Sequence, residues 1–303
     1  MKRLLTLLST CVVSSSIFAS GYDIQLYPLS FNKQTHSWSV GEGKPITDRN
    51  GYDNQASFTR DNGGVVFVSD RKGQFNDIYR YDINTGKITQ LTDTPNESEF
   101  SPTETENGLE YVVEQGVPHQ SVWYQQGNKP RTRAINSMIP TGYYATHPDL
   151  GTLMWARYAY SLYFEPKGEN ANEGHFVVSN AGRSLHVIPE AKKFSYVHKL
   201  MDGDRVIKSF DPISKQHRAL VSLGTGSEDY AWGGLTASGS SWIFNVENGR
   251  LRAWLYEPGG SDLSKTSWTP VADLTPPTQQ HQKANRIAIS PDNRFMTIVW
   301  SRN

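Results

Sequence analysis

The sequence predicts an all-β protein built from repeated four-stranded units, and three observations carry that prediction. Short runs rich in β-branched and aromatic residues recur along the chain, separated by turns rich in Gly, Asn and Asp. No stretch beyond the first twenty residues shows sustained helical periodicity. The last repeat holds only two strands, and the early part of the chain offers two more. Together these describe a six-bladed β-propeller of four-stranded antiparallel blades, closed by N- and C-terminal strands that share one blade.

The clearest repeat spans residues 53–94. Its strands are Gln55–Phe58, Gly64–Arg71, Asp77–Ile83 and Lys87–Thr92, with turn residues at 61–64, 71–76 and 84–86. Residues 95–139 repeat it with Asn96–Pro102, Leu109–Val113 and Ser121–Tyr124. Residues 140–189 offer Tyr143–Ala145, Leu153–Tyr158, Tyr160–Phe164 and His175–Val178. In residues 190–226 the first strand is read at Phe194–Val197, followed by Val206–Phe210 and Arg218–Val221. Residues 227–279 supply Asp229–Trp232, Ser241–Phe244, Leu251–Leu255 and Trp268–Val271. The final pair, Arg286–Asn293 and Phe295–Trp300, needs Tyr22–Tyr27 together with Trp38–Val40 and Lys44–Thr47 to make a blade. Such closure leaves no free sheet edge around the ring. Six units in residues 20–303 average about 47 residues each, enough for a four-stranded blade with loops; seven would force several breaks.

Lys2 and Arg3 precede an apolar run from Leu4 to Phe18 that ends in Ala19-Ser20. This reads as a secretory signal peptide cleaved after Ala19, with residues 20–303 as one domain. A lipoprotein reading at Leu8-Ser9-Thr10-Cys11 would leave Val12–Phe18 on the mature chain and is the less favoured alternative. Cleavage after Ala19 removes Cys11, the only cysteine, and so excludes disulfides, thiolate metal sites and a cysteine nucleophile. It leaves 28 basic against 30 acidic residues. That balance argues against a nucleic-acid binder, and no later segment approaches membrane-spanning length. The expected product is a monomeric periplasmic or secreted protein.

Phe67-Val-Ser-Asp-Arg-Lys-Gly73, Asp77-Ile-Tyr79, Tyr81–Lys87 and Gln90-Leu-Thr92 resemble the blade repeat of TolB-like six-bladed propellers. Ile289-Ser-Pro-Asp292 resembles the same repeat's turn. The resemblance is close in one blade, partial in a second, and carried by spacing elsewhere. It implies a periplasmic propeller without the separate N-terminal domain of TolB itself, and an interaction surface on one ring face. Some TolB-like propellers are enzymes, among them oligogalacturonate lyases, which hold a metal in a His-rich axial pocket. The repeat occurs in many settings, so it speaks to fold more than to activity.

In a propeller the innermost strands line the axis, and residues near their starts converge. This reasoning assembles Asn54, Gln55, Glu97, Glu99, Tyr143, Tyr144, His147, His198, Lys199, Glu228, Asp229, Trp232, Asn285 and Arg286. Gly182-Arg-Ser-Leu-His186 is read as a connection between blades. Its Arg183 suits either an anion or an inter-blade salt bridge, and His186 and His198 could meet or point apart. The ligand-binding candidates are Glu97, Glu99, Tyr144, Arg183, His186, His198, Lys199, Glu228, Asp229, Trp232 and Arg286. Glu97 and Glu99 share a strand face, whereas the neighbours Glu228 and Asp229 should point apart. None of the eight histidines shows paired metal-ligand spacing, and no G-x-S-x-G elbow is present. No catalytic residue, cofactor or metal is predicted. The expected role is binding of a cell-envelope protein, small ligand or glycan through a polar axial face. The alternative is a carbohydrate-active lyase or hydrolase, with or without a metal, using the same pocket.

Overall fold

The computed structural model describes residues 21–116, 119–168, 174–236, 239–258 and 267–303. The predicted signal peptide and Cys11 lie outside them. Six antiparallel sheets follow one another around a ring, five of four strands and one that closes the chain on itself. The closing blade takes β1 (Tyr22–Asn32), β2 (Ser37–Val40) and β3 (Lys44–Pro45) from the start of the chain, and β24 (His281–Ile289) and β25 (Phe295–Arg302) from its end. Its four-stranded path β2–β1–β25–β24 carries the short β3 beside β1. β1 pairs with β25 from Tyr22↔Ser301 to Pro28↔Phe295.

The other blades are simple meanders. The first is β4 (Asp53–Phe58), β5 (Gly64–Ser69), β6 (Asp77–Asp82) and β7 (Ile88–Gln90). The second is β8 (Ser98–Glu104), β9 (Leu109–Glu114), β10 (Gln120–Gln125) and β11 (Thr132–Arg133). The third is β12 (Thr141–His147), β13 (Gly151–Ala156), β14 (Ser161–Pro166) and β15 (His175–Val178). The fourth is β16 (Ala181–Val187), β17 (Phe194–Lys199), β18 (Arg205–Phe210) and β19 (His217–Gly224). The fifth is β20 (Tyr230–Leu235), β21 (Ser241–Glu247), β22 (Arg250–Tyr256) and β23 (Thr269–Asp273).

Burial explains the sequence pattern. β5 and β13 are buried at every position, because each second strand packs against a neighbouring blade on both faces. The core is therefore a set of wedges between blades. Phe67 and Tyr79 of the first blade meet Ile24 and Val299 of the closing blade. Leu153 and Phe164 meet Phe194 and Tyr196 between the third and fourth blades. Trp242 and Phe244 meet Met296 and Trp300 between the fifth and closing blades.

One blade boundary differs from the sequence reading. Gly182–His186 is not a connection; it belongs to β16, the innermost strand of the fourth blade. Phe194–Lys199 is accordingly that blade's second strand. The apolar signal was weak because β16 slips register against β17 between Ala181 and Leu185, so small and polar residues occupy the strand's start.

Candidate axial binding site

The innermost strands β4, β8, β12, β16, β20 and β24 surround the axis, and each carries a register shift against its second strand. Bulges re-aim side chains and free main-chain groups from the ladder. At two of them Gln55 and Ser101 adopt positive φ, 53° and 52°. The Ser101 amide and hydroxyl donate to Gln55 Oε1 at 2.7 and 2.8 Å, and Gln55 Nε2 donates to the Tyr52 hydroxyl at 2.8 Å. A glutamine held by its own blade and the next thus becomes part of the axial wall.

The strands enclose a channel of about 460 Å³ lined from all six blades. Cavities of about 280 and 240 Å³ flank it near the strand starts and share Arg183 and Glu228. At this mouth Arg183 reaches across to the fifth blade, with Nη1 3.2 Å from Glu228 and Nη2 2.7 Å from Asp229. Lys199 Nζ lies 2.8 Å from Glu228 Oε2. The inter-blade salt bridge weighed for Arg183 is therefore formed. Glu228 and Asp229 do not point apart: they precede β20, outside its pleat, and both face Arg183. Gly182 permits the approach, since a Cβ there would sit 2.7 Å from Glu228 Oε2 and 3.0 Å from the Val197 Cβ.

Arg286 crosses the axis. Its Nη2 donates to the Tyr143 hydroxyl of the third blade at 2.7 Å, and its guanidinium lies 5.1 Å from that ring's centre. Burial works against its charge, but Tyr143, Asp229 and Tyr52 together outweigh burial and hold its pKa above the ordinary value. Deeper in the channel lies His186, packed edge-on against Tyr230 with ring centres 4.6 Å apart. Burial lowers its pKa to about 4, so the imidazole is neutral, with Nε2 3.2 Å from the Ser184 hydroxyl. Trp232 Nε1 and the Tyr230 hydroxyl both donate to Ser195 Oγ at 2.8 Å, which fixes both rings. Tyr144 also lines the channel, and burial first, then Glu110, push its pKa well above 10.

Three candidates lie away from the axis. Glu97 and Glu99 do share a face, but they turn toward Arg131 at the junction of the first two blades. Gln115 and Arg131 overcome burial to hold Glu97 below its ordinary pKa. Glu99 is fully buried beside Thr92 and Thr94, and burial raises it to about 7. His198, placed on the second strand by the shifted blade boundary, takes Lys208 Nζ at 2.8 Å on Nδ1 rather than facing the channel. Burial, then Lys208 and His217, lower its pKa.

The reading of the sequence missed Tyr52, Ser101, Ser184, Arg157, Tyr160, Arg205 and Lys283, all of which line the channel or its mouth. A signal for Arg157, Tyr160 and Arg205 existed. In a meander, the turn between second and third strands returns to the face where the first strand starts. Among the described residues one carboxylate–histidine group has metal-like spacing: Asp23, Asp48 and His281. Arg302 contacts both aspartates there, so a guanidinium already supplies the cation.

No protein-family model matches the chain, and no curated protein sequence matches it. Solved structures do. TolB from Acinetobacter baumannii superposes with a TM-score of 0.54 at 11% identity, covering 92% of this chain and 65% of that one. The chain thus spans about two thirds of the length of that protein. A putative TolB from Agrobacterium tumefaciens gives 0.61 at 8% identity over 94% of this chain and 99% of that one. An oligogalacturonate lyase from Vibrio parahaemolyticus gives 0.51 at 10% identity over 91% and 96%. At these identities the likeness is one of architecture: the chain has the six-bladed β-propeller fold of TolB-like proteins.

Proposed function

We propose that this chain is a binding or interaction protein of the cell envelope, exported by its N-terminal segment, that engages its ligand through the polar axial mouth. The observation that carries the reading is the arrangement around Arg183. Side chains from several blades converge there on an open cavity, and all six innermost strands bulge to present polar groups to the axis. Gly182 leaves room for Glu228 to lie against the neighbouring blade. Among the described residues no helix is long and apolar enough to cross a membrane.

A thermal-shift screen against divalent metals, acidic and neutral oligosaccharides and cell-wall fragments tests the reading, with and without chelator. A native-state ligand raises the melting temperature by mass action. The expected result is a shift that Trp232→Ala abolishes and Glu228→Ala changes in size. A shift that neither substitution alters places binding elsewhere and defeats the reading. One observation supports the enzymatic alternative: His186 presents its imidazole inside the channel, with Nε2 3.2 Å from the Ser184 hydroxyl. Turnover of an acidic oligosaccharide that His186→Gln abolishes would favour it over simple binding.

A further inference from the structure

We infer that the axial mouth receives an acidic segment of a partner protein, with Arg286 as its innermost anchor. This rests on the axial-binding reading above and adds the sign and class of the ligand. The channel and its two flanking cavities are lined by six cations, Arg157, Arg183, Lys199, Arg205, Lys283 and Arg286, against two acids, Glu228 and Asp229. The whole chain carries no net charge, so the excess is a local concentration. Walls of low dielectric focus such a field on whatever approaches the opening.

Internal pairing leaves the excess in place. Arg183 and Lys199 engage both acids, and Arg157 pairs with Glu114 at 2.7 Å. Among the described residues Arg205, Lys283 and Arg286 have no carboxylate in ion-pair contact. Arg205 donates to the Thr225 carbonyl instead. Arg286 uses one donor on the Tyr143 hydroxyl, whereas a guanidinium has five. Asp229 acts on Arg286 through space without touching it, so the guanidinium's other donors stay open, and a carboxylate accepting two parallel N–H bonds would use them.

The rim indicates a protein rather than a small anion. Tyr158 and Tyr160 stand on the turn between β13 and β14, and Met201 on the turn between β17 and β18. These turns lie on the same face as the mouth, which Tyr160 itself lines. All three side chains are more than half exposed. Tyr and Met beside a charged cleft match the composition of protein interfaces. They would meet a folded surface while an acidic segment descends to Arg286.

The test uses fluorescence anisotropy on the full exported chain with labelled hexaglutamate as probe, hexalysine as its opposite, and trigalacturonate as a competing acidic sugar. Hexaglutamate is expected to bind, with affinity falling steeply as salt rises, while hexalysine does not. The double substitution Arg205→Glu/Lys283→Glu on the surface is expected to weaken binding by about tenfold or more with melting unchanged. Arg286→Lys, which keeps the charge and removes the fork, is expected to weaken it by roughly tenfold. Equal binding of hexalysine, or indifference to the double reversal, overturns the inference. Binding of trigalacturonate without hexaglutamate overturns the partner class. A neutral ligand whose shift Glu228→Ala abolishes, with no hexaglutamate binding, overturns the sign and leaves the axial reading standing. No axis-dependent shift from any ligand defeats that reading itself.

Discussion

Two of the ring's clusters of buried or half-buried charge, the one at the closure and the one at the axial mouth, are built on opposite principles. At the closure, Asp23 is fully buried and every oxygen has a partner. Its Oδ1 accepts from Thr47 Oγ1 at 3.1 Å and from the Arg49 amide at 3.0 Å. Its Oδ2 faces Arg302 and His281 Nε2, the latter at 3.1 Å. Strands from the two ends of the chain are clasped there by a saturated network. At the axial mouth, cations outnumber acids, Arg286 has spare donors, and the cluster opens onto a cavity. Enclosed charge therefore has two meanings in this molecule. Where donors and acceptors balance it fixes the fold, and where one kind is in excess it waits for something from outside.

The largest effect expected from breaking this contrast is at the clasp. Asp23→Ala leaves Arg302 only the exposed Asp48 and strips His281, Thr47 and the Arg49 amide of their buried acceptor, and removing one member of a buried ionic network costs about 3–5 kcal/mol. Urea denaturation should show this as a lowered midpoint. Glu228→Ala at the mouth should cost about 1 kcal/mol or less, since Arg183 keeps Asp229. Comparable losses at the two sites would end the distinction drawn between them.

Two titrating groups, the buried Glu99 and the half-buried His186, sharpen the contrast, because their signs oppose. Glu99 rises from 4.5 to about 7 on folding, so between those values the native state holds more protons than the unfolded one. Its contribution is full below pH 4.5 and is lost as pH climbs toward 7, on the order of 3 kcal/mol. His186 falls from 6.5 to about 4, so the unfolded chain holds more protons in that window. Stability from His186 is present above 6.5 and lost as pH drops toward 4. The two slopes offset each other between pH 4.5 and 6.5, and the wild type should be nearly flat there. Glu99→Gln should leave stability rising with pH, and His186→Gln should leave it falling. Denaturation midpoints across pH 4–8 read both slopes, and equal slopes in the two variants would remove either group as the cause.

Most of the fold was legible because propeller blades announce themselves through second and third strands. Gly64–Ser69 and Asp77–Asp82 are apolar, regular and bounded by turns. The innermost strands are harder to read, because the bulges that make them useful break the alternation that reveals a strand. Ala181–Val187 shows this directly, and misplacing it moved His198 to the axis on paper while leaving Arg183 and His186 in what looked like a loop. Glu97 and Glu99 were placed by their position near a strand start. Which wall of that strand they faced depended on Arg131, thirty-odd residues away. Arg286 was found at the axis, but its bond to Tyr143 joins opposite blades, a relation no local pattern encodes.

A smaller effect separates geometry from charge at the mouth. In Gly182→Ala the new methyl would meet Glu228 Oε2 at 2.7 Å and the Val197 Cβ at 3.0 Å. The carboxylate is the end of a flexible side chain and can swing away, whereas Val197 is a fully buried residue of β17 and must shift with its strand. Overpacking of this kind costs about 1–2 kcal/mol, well below the clasp. Its consequence for binding should exceed its consequence for stability, because Glu228 turned from Arg183 and Lys199 exposes two further cations to an incoming ligand. A modest drop in melting temperature with tighter hexaglutamate binding is therefore expected. If binding weakens in step with stability instead, the mouth acts as part of the scaffold, and the excess of cations there serves the ring rather than a partner.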